Sequence, residues 1–237
     1  MTAAAPPEAV LLQDLARGVD ALGLSVSESQ QAQLLSYMAL IQKWNKVYNL
    51  TALRQAHEIL THHLLDSLSA ISPLLRHIET SRGHAHTVSD MDVKLELLDV
   101  GSGGGLPGVV IAICCPNVRV TCVDTVSKKA AFVQQVAASL RLPNLRGVHA
   151  RVESLVGPFD VVCSRAFASL PDFVSWSVGA LSDHGVWMAM KGKVPEAEMS
   201  SLPAFAEVFH VEQLRVPGMD ADRCMVWMKK SANCLTG

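Results

Sequence analysis

Several things are missing from this sequence, and each absence narrows what it can be. No stretch of about 18 apolar residues occurs, so no membrane-spanning helix is expected; the densest apolar stretch, Val109 to Cys115, is too short. Met1 to Pro7 lacks a basic region followed by an apolar core, so no secretory signal is expected. None of the six cysteines (114, 115, 122, 163, 224 and 234) forms a Cys-x-x-Cys pair. Most sit in apolar, strand-like runs, which indicates reduced, buried thiols in a cytoplasmic protein and neither a disulfide frame nor a zinc site. A strong charge of either sign is also lacking: 20 Lys and Arg against 22 Asp and Glu leave a net charge of −2. A protein that coats nucleic acid would be strongly basic, so any such binding must come from a local patch.

What is present is a globular composition, 49% hydrophobic and 18% charged over 237 residues. The first 78 residues read as a helical extension. Apolar residues recur at three- and four-residue intervals over 7–23, over 27–45 (Leu34, Leu35, Met38, Ile41, Trp44) and over 57–75. Residues 79–94 are polar and aperiodic and read as a linker. From 95 to 237 the pattern is that of one α/β domain. Short apolar strands at 95–100, 118–123, 146–150, 159–163 and 186–190 alternate with helical segments at 107–115, 127–141 and 169–180. Such alternation implies a doubly wound parallel sheet. Residues 208–216 and 223–230 flank Pro217-Gly218-Met219-Asp220, a hairpin that makes the last strand antiparallel.

The segment Asp99-Val100-Gly101-Ser102-Gly103-Gly104-Gly105-Leu106 follows the first strand and opens a helix. Glycines there let a ligand approach the backbone without meeting a Cβ. The dinucleotide pattern G-x-G-x-x-G fails at Leu106. G-x-G-x-G with an acid two residues before it suits S-adenosylmethionine better. Asp124 ends the second strand, where a carboxylate accepts from both ribose hydroxyls or caps the following helix. Arg151-Val152-Glu153 follows the third strand, where adenine would lie. After the fourth strand comes Ser164-Arg165-Ala166-Phe167-Ala168, with no Asn/Asp-Pro-Pro-aromatic motif for an amine acceptor. Cys163 has no Pro-Cys context for a thiolate nucleophile and reads as a buried strand cysteine. An acceptor that is already nucleophilic, such as guanine N7, remains; it needs alignment more than a base.

Asn45-Lys46-Val47-Tyr48-Asn49-Leu50-Thr51, His63-Leu64-Leu65-Asp66-Ser67, the glycine loop with Gly105-Leu106-Pro107-Gly108, Ser164 to Ala168 and Met190-Lys191-Gly192 together resemble the RsmG (GidB) family of bacterial 16S ribosomal RNA guanine-N7 methyltransferases. The resemblance covers about residues 28–230. It implies a class I methyltransferase, Rossmann-like, with an N-terminal helical extension and S-adenosylmethionine as donor. It implies as acceptor a guanosine of 16S ribosomal RNA (guanosine 527 in the usual bacterial numbering), on naked RNA or an assembling small subunit. The family's cofactor contacts fall on Gly101, Leu106, Val152, Glu153 and Arg165. Asp124 matches its acid after the second strand. The chain departs from the family in a longer linker, in Lys128-Lys129 where Lys-Arg is usual, and in Cys224 where a histidine is usual.

The expected site is therefore Asp99, Gly101, Gly103, Gly105, Leu106, Asp124, Val152, Glu153 and Arg165 for the cofactor, with Arg165 and Lys191 as catalytic residues. Alternatively, Arg165 pairs with Asp124 or Asp160. Lys191 and Lys193 would seat RNA phosphates or simply be solvated. Asn49 and Thr51 are candidate caps of the third helix. His57, His62 and His63 read as surface or packing residues, not metal ligands. Trp44 and Tyr48 would pack between helix and sheet or stack on a base. A monomer without metal and without membrane contact is expected. Other classes stay open: a methyltransferase of small molecules or proteins, or a non-catalytic donor-binding module. Charge is uneven along the chain. Residues 119–193 hold nine bases and five acids, whereas residues 194–222 hold one base and six acids.

Overall fold

The computed structural model describes residues 8–82 and 95–231. The chain begins with α1 (Glu8–Ala21) and α2 (Glu28–Tyr48). Ser27 starts α2 with a capping box: its hydroxyl accepts from the Gln30 N–H while the Gln30 amide accepts from the Ser27 N–H. The Gln30 Nε2 also donates to the Ile113 carbonyl at 2.8 Å, so the cap ties α2 to the neighbouring domain.

The third helical stretch is not the single helix that its periodicity predicts. It comprises α3 (Ala56–Ile59), a π-helical turn over Leu60–Leu65 and α4 (Asp66–Leu68), with a break before α5 (Ile71–Arg82). Pro73 explains the break. Inside a continuous helix it would cost a hydrogen bond and a clash, whereas in the first turn of α5 its missing N–H has no partner to lose. At the break, Ser69 Oγ donates to the Asp66 carbonyl at 2.6 Å. Because α5 continues to Arg82, the first four residues of the expected linker are helical; the rest of 79–94 lies outside the described residues.

The sheet is built from β1 (Leu95–Val100), β2 (Val118–Asp124), β3 (Leu145–His149), β4 (Phe159–Arg165), β5 (Leu181–Lys191), β6 (Ala206–Gln213) and β7 (Cys224–Lys230). Their order is β3-β2-β1-β4-β5-β7-β6. β1 to β5 run parallel, and β7 is antiparallel to both β5 and β6. The helices α6 (Gly108–Cys114), α7 (Ser127–Ser139), α8 (Leu170–Ser177) and α9 (Glu196–Ser200) fill the connections. The order reverses between β1 and β4, so a crevice opens at their carboxyl ends, where open α/β sheets bind ligands.

The N-terminal helices share one continuous core with one face of the sheet: Leu15, Leu34, Tyr37 and Ile41 pack in the same cluster as Val110, Phe132 and Val161. A second cluster on the other face joins Phe173, Val174 and Trp187. No helix of the described residues is long and apolar enough to cross a membrane.

Candidate active site at the carboxyl ends of the strands

The glycine loop runs from the tip of β1 into α6. Gly101, Gly103 and Gly105 have φ of 63°, 58° and 88°, a region that favours glycine. The three serve different ends. At Gly103, as at Gly104, a Cβ would meet nothing within 4 Å, so the backbone is open to a ligand. At Gly101 a Cβ would collide with the Phe167 ring. At Gly105 it would collide with Val109 and lie 3.4 Å from Tyr37 Oη. Gly105, expected against a cofactor, is thus required by packing and faces the protein.

Two cavities flank the loop. The larger, about 640 Å³, is lined by Gly101, Asp124, Val152, Glu153, Phe167 and Trp176, among others. The smaller, about 140 Å³, is lined by Gly101 to Gly104, Leu106, Thr51, His63 and Arg165. Seven of the nine expected cofactor residues therefore border one cavity or the other. Asp124 is nearly buried. Its Oδ2 accepts from the Gly103 N–H at 3.0 Å and its Oδ1 from the Val126 N–H at 2.8 Å. Each oxygen keeps a lone pair for a vicinal diol. The larger cavity thus combines a diol acceptor, Asp124, with apolar faces from Val152, Phe167 and Trp176, which suits a nucleoside.

Asp99 is the other expected cofactor residue that does not reach a cavity. It is fully buried, and its Oδ2 accepts from the Gly108 N–H at 2.8 Å, anchoring the start of α6. Oδ1 has no hydrogen-bond partner. Strand register places Cys122 and Cys163 on either side. Burial pushes the Asp99 carboxyl up to about 7, partly offset by the Gly108 N–H, and pushes both thiols well above their ordinary range. Cys163 is therefore a protonated core thiol. The folded state holds the Asp99 proton more tightly than the unfolded chain, so the fold loses stability as pH rises from about 4 to 7. Asp99→Asn mimics the neutral form. Relative to the parent it should gain about 2 kcal/mol between pH 5 and pH 8, read by denaturant unfolding at both values.

Arg165 pairs with neither Asp124 nor Asp160. Its Nη1 donates to Asp66 Oδ2 at 2.7 Å and to the His62 carbonyl at 2.9 Å. Asp66, buried, also accepts from Arg223 Nε at 2.9 Å. His63 lies beside them. Burial, then the Arg165 charge, depress its imidazole to about 4, so it is neutral at physiological pH. Thr51 Oγ1 accepts from the Leu53 N–H and is 2.7 Å from His63 Nε2. The His62 carbonyl, 3.0 Å from Nδ1, favours the tautomer with the proton on Nδ1, in which Nε2 accepts from the Thr51 hydroxyl; Arg165 Nη2 stands 3.4 Å from the same Nδ1. Neither Asn49 nor Thr51 caps the next helix: Gln55 does, and Asn49 ends α2 with φ of 48°.

Lys191 is not a free phosphate-binding cation. Its Nζ donates to the Ala168 carbonyl and to Glu198 Oε2, both at 2.8 Å. Glu198 also accepts from the Leu170 N–H. Lys191 therefore clamps the loop after β4 to α9 and acts on Phe167 and Arg165 only through that loop. Cys224 is fully buried in the second core cluster, so position 224 offers no side chain to solvent. Among the described residues, no group of three or more His, Cys, Asp or Glu could hold a metal ion.

Sequence reasoning missed Tyr37, Phe167, Trp176, the Thr51–His63 contact and the Arg165–Asp66–Arg223 cluster. Tyr37 is fully buried in α2 and donates to the Gly104 carbonyl at 2.5 Å, which fixes the open part of the loop. Its spacing from Leu34 and Ile41 places it on the core face, but nothing in the pattern says what its hydroxyl meets. Tyr37→Phe keeps the ring and orphans the carbonyl. It should cost about 1–2 kcal/mol of stability and weaken donor binding about tenfold, as titration calorimetry would show.

Sheet order, glycine loop, strand-end acid and flanking cavities define a class I methyltransferase. The family described as rRNA small subunit methyltransferase G matches residues 30–226. Proteins named ribosomal RNA small subunit methyltransferase G are similar to this chain along most of its length. That of Paracidovorax citrulli is 64% identical over 215 residues, covering 91% of this chain and 88% of its own. That of Acidovorax ebreus is 62% identical over 218 residues (92% and 95%), and that of Polaromonas sp. 62% over 221 (93% and 94%). The chain belongs to the rRNA small subunit methyltransferase G family.

Proposed function

We propose that the protein transfers a methyl group from S-adenosylmethionine to N7 of a guanosine in 16S ribosomal RNA, on naked RNA or an assembling small subunit. The observation that carries the acceptor is the surroundings of the loop after β4. No carboxylate-proline or amide-proline motif is there to take up amine hydrogens, and Cys163 is a buried, protonated thiol. The imidazole bordering the small cavity, His63, is hydrogen-bonded to Thr51, and burial and the Arg165 charge depress it to about 4, so it is a poor base. A site with no base to spare fits an acceptor that brings its own lone pair and carries no proton to remove, as guanine N7 does.

The cofactor supplies an activated methyl group on a sulfonium. The chain's own residues do the rest. Asp124 would accept from the ribose hydroxyls, and Val152, Glu153, Phe167 and Trp176, which line the same cavity, would hold the adenine. Gly103 and Gly104 would let the donor's amino-acid end lie against the backbone, with Leu106 lining the same small cavity. Arg165, pinned by Asp66, orients the reacting pair in the small cavity. This is catalysis by alignment and exclusion of water. The reading extends to a cytoplasmic monomer that needs no metal.

The test is to map N7-methylguanosine in small-subunit RNA from cells with and without the gene, then to restore it with purified protein and donor. One modified guanosine that depends on the protein is expected. Label entering protein or a soluble metabolite instead, or donor binding without any transfer, would overturn the proposal.

A further inference from the structure

Three cationic places border the site, and they differ in what neutralises them. Lys191 is paired with Glu198. A groove of about 950 Å³ between the β5 and β6–β7 connections holds Lys193, Arg215 and Arg223, but also Asp220 and Asp222, and Arg223 is taken by Asp66. The third place is the rim where the end of α2 meets the start of α7. There Lys128 Nζ sits 5.3 Å from the centre of the Tyr48 ring, and Arg54 Nη2 donates to Asn49 Oδ1 at 3.1 Å. Both cations rest on neutral groups. From Lys43 to Gln55 and from Thr125 to Leu140 the sequence contains no acid.

The rim is exposed and partly apolar. Tyr48 is 42% accessible, Val47 69% and Val126 43%. Tyr48 is braced from below by Trp44, 5.1 Å away, which itself packs on Phe132. A half-exposed ring on a rigid base, with one cation over its face and another close by, supplies what a nucleic-acid strand needs once Lys128 lifts off: stacking for a base and charge for phosphates. The inner sides of the same segments reach the reaction. Leu50 and Thr51 line the small cavity, and Val126 and Lys129 line the large one.

We infer that this rim, with Tyr48, Arg54 and Lys128 as its contacts, is where the RNA flanking the acceptor guanosine docks. The inference rests on the RNA-methylating reading above and moves the RNA seat away from Lys191. A base beside the acceptor displaces Lys128 from the Tyr48 ring and stacks there, while Arg54 and the released Lys128 take phosphates.

The experiment uses the full chain and unmethylated small-subunit RNA. The double variant Arg54→Gln, Lys128→Gln should raise KM for RNA at least tenfold. It should also flatten the plot of log affinity against log salt by about 1 to 2, the contribution of two phosphate contacts. Donor affinity and Tm should not move. Tyr48→Ala should raise KM about tenfold and Tyr48→Phe should restore it, since stacking needs only the ring. Arg119→Gln, at the opposite end of the sheet, should behave as the parent. An unchanged KM and salt slope in the double variant, or an equal loss with Arg119→Gln, would overturn the inference. If the parent itself methylates no small-subunit RNA, the functional reading fails instead.

Discussion

Gly101→Ala should lower donor affinity at least a hundredfold, and Gly101→Asp should abolish binding. Two costs combine at this position. A residue with a Cβ at φ of 63° pays about 1–2 kcal/mol for the left-handed backbone. The added methyl would also meet the Phe167 ring, with Cε2 at 2.7 Å and Cδ2 nearer still. That ring cannot simply swing aside, because it stands edge-on to Phe173 and Trp176 at 6.5 and 5.8 Å. Phe167 must therefore move into the cavity that the nucleoside needs. Gly103→Ala separates the two costs in the free protein: its φ is 58°, yet nothing lies within 4 Å. Gly103→Ala should lose only the backbone part of the stability, a few degrees in Tm, whereas Gly101→Ala loses more. Calorimetric donor binding within threefold of the parent in Gly101→Ala would remove the cofactor assignment.

The contrast between Gly101, Gly103 and Gly105 also shows what a sequence carries and what it does not. The loop was legible because backbone turns demand glycine locally, and so were the strand-end positions of Asp124 and Val152, because βα alternation fixes which end of each strand faces the crevice. Five of the seven strands follow directly from apolar runs flanked by turns. Lys191 and Arg165 were placed correctly at strand ends, but their partners were not, because Glu198 and Asp66 come from elements whose approach no local pattern encodes. Asp66 lies 99 residues before Arg165 and 157 before Arg223. The same holds for Tyr37, whose hydroxyl crosses from α2 to Gly104. Asp99 shows the converse error. Its spacing from the glycines suggested a ligand contact, but a residue in the middle of a sheet flanked by β2 and β4 has its direction set by the pleat, and here the pleat points it at α6.

Asp66→Ala should be among the most damaging substitutions in the chain, lowering Tm by about 6–12 °C and kcat at least a hundredfold. The carboxylate is 3% exposed and serves two guanidinium groups that are themselves largely covered, Arg165 at 18% and Arg223 at 26%. Removing the shared partner of a buried ion pair costs about 3–5 kcal/mol, because the charges left behind lose what offset their desolvation. The lower end applies here, since both guanidinium groups keep a backbone carbonyl, His62 for Arg165 and Asp222 for Arg223. About 3 kcal/mol in a chain of this size corresponds to the stated shift in Tm. The kinetic loss has a separate origin. Arg165 borders the small cavity over the glycine loop, and without Asp66 its guanidinium is no longer held in one place, so alignment suffers while the nucleoside cavity stays intact. Donor affinity should therefore change little while single-turnover transfer slows, and Asp66→Asn, which keeps one acceptor oxygen, should fall between. A Tm within 2 °C and a kcat within threefold of the parent would show that the contact is incidental. The expected result would instead explain why a helical extension precedes this methyltransferase sheet: through Tyr37 it holds the glycine loop, and through Asp66 it holds Arg165.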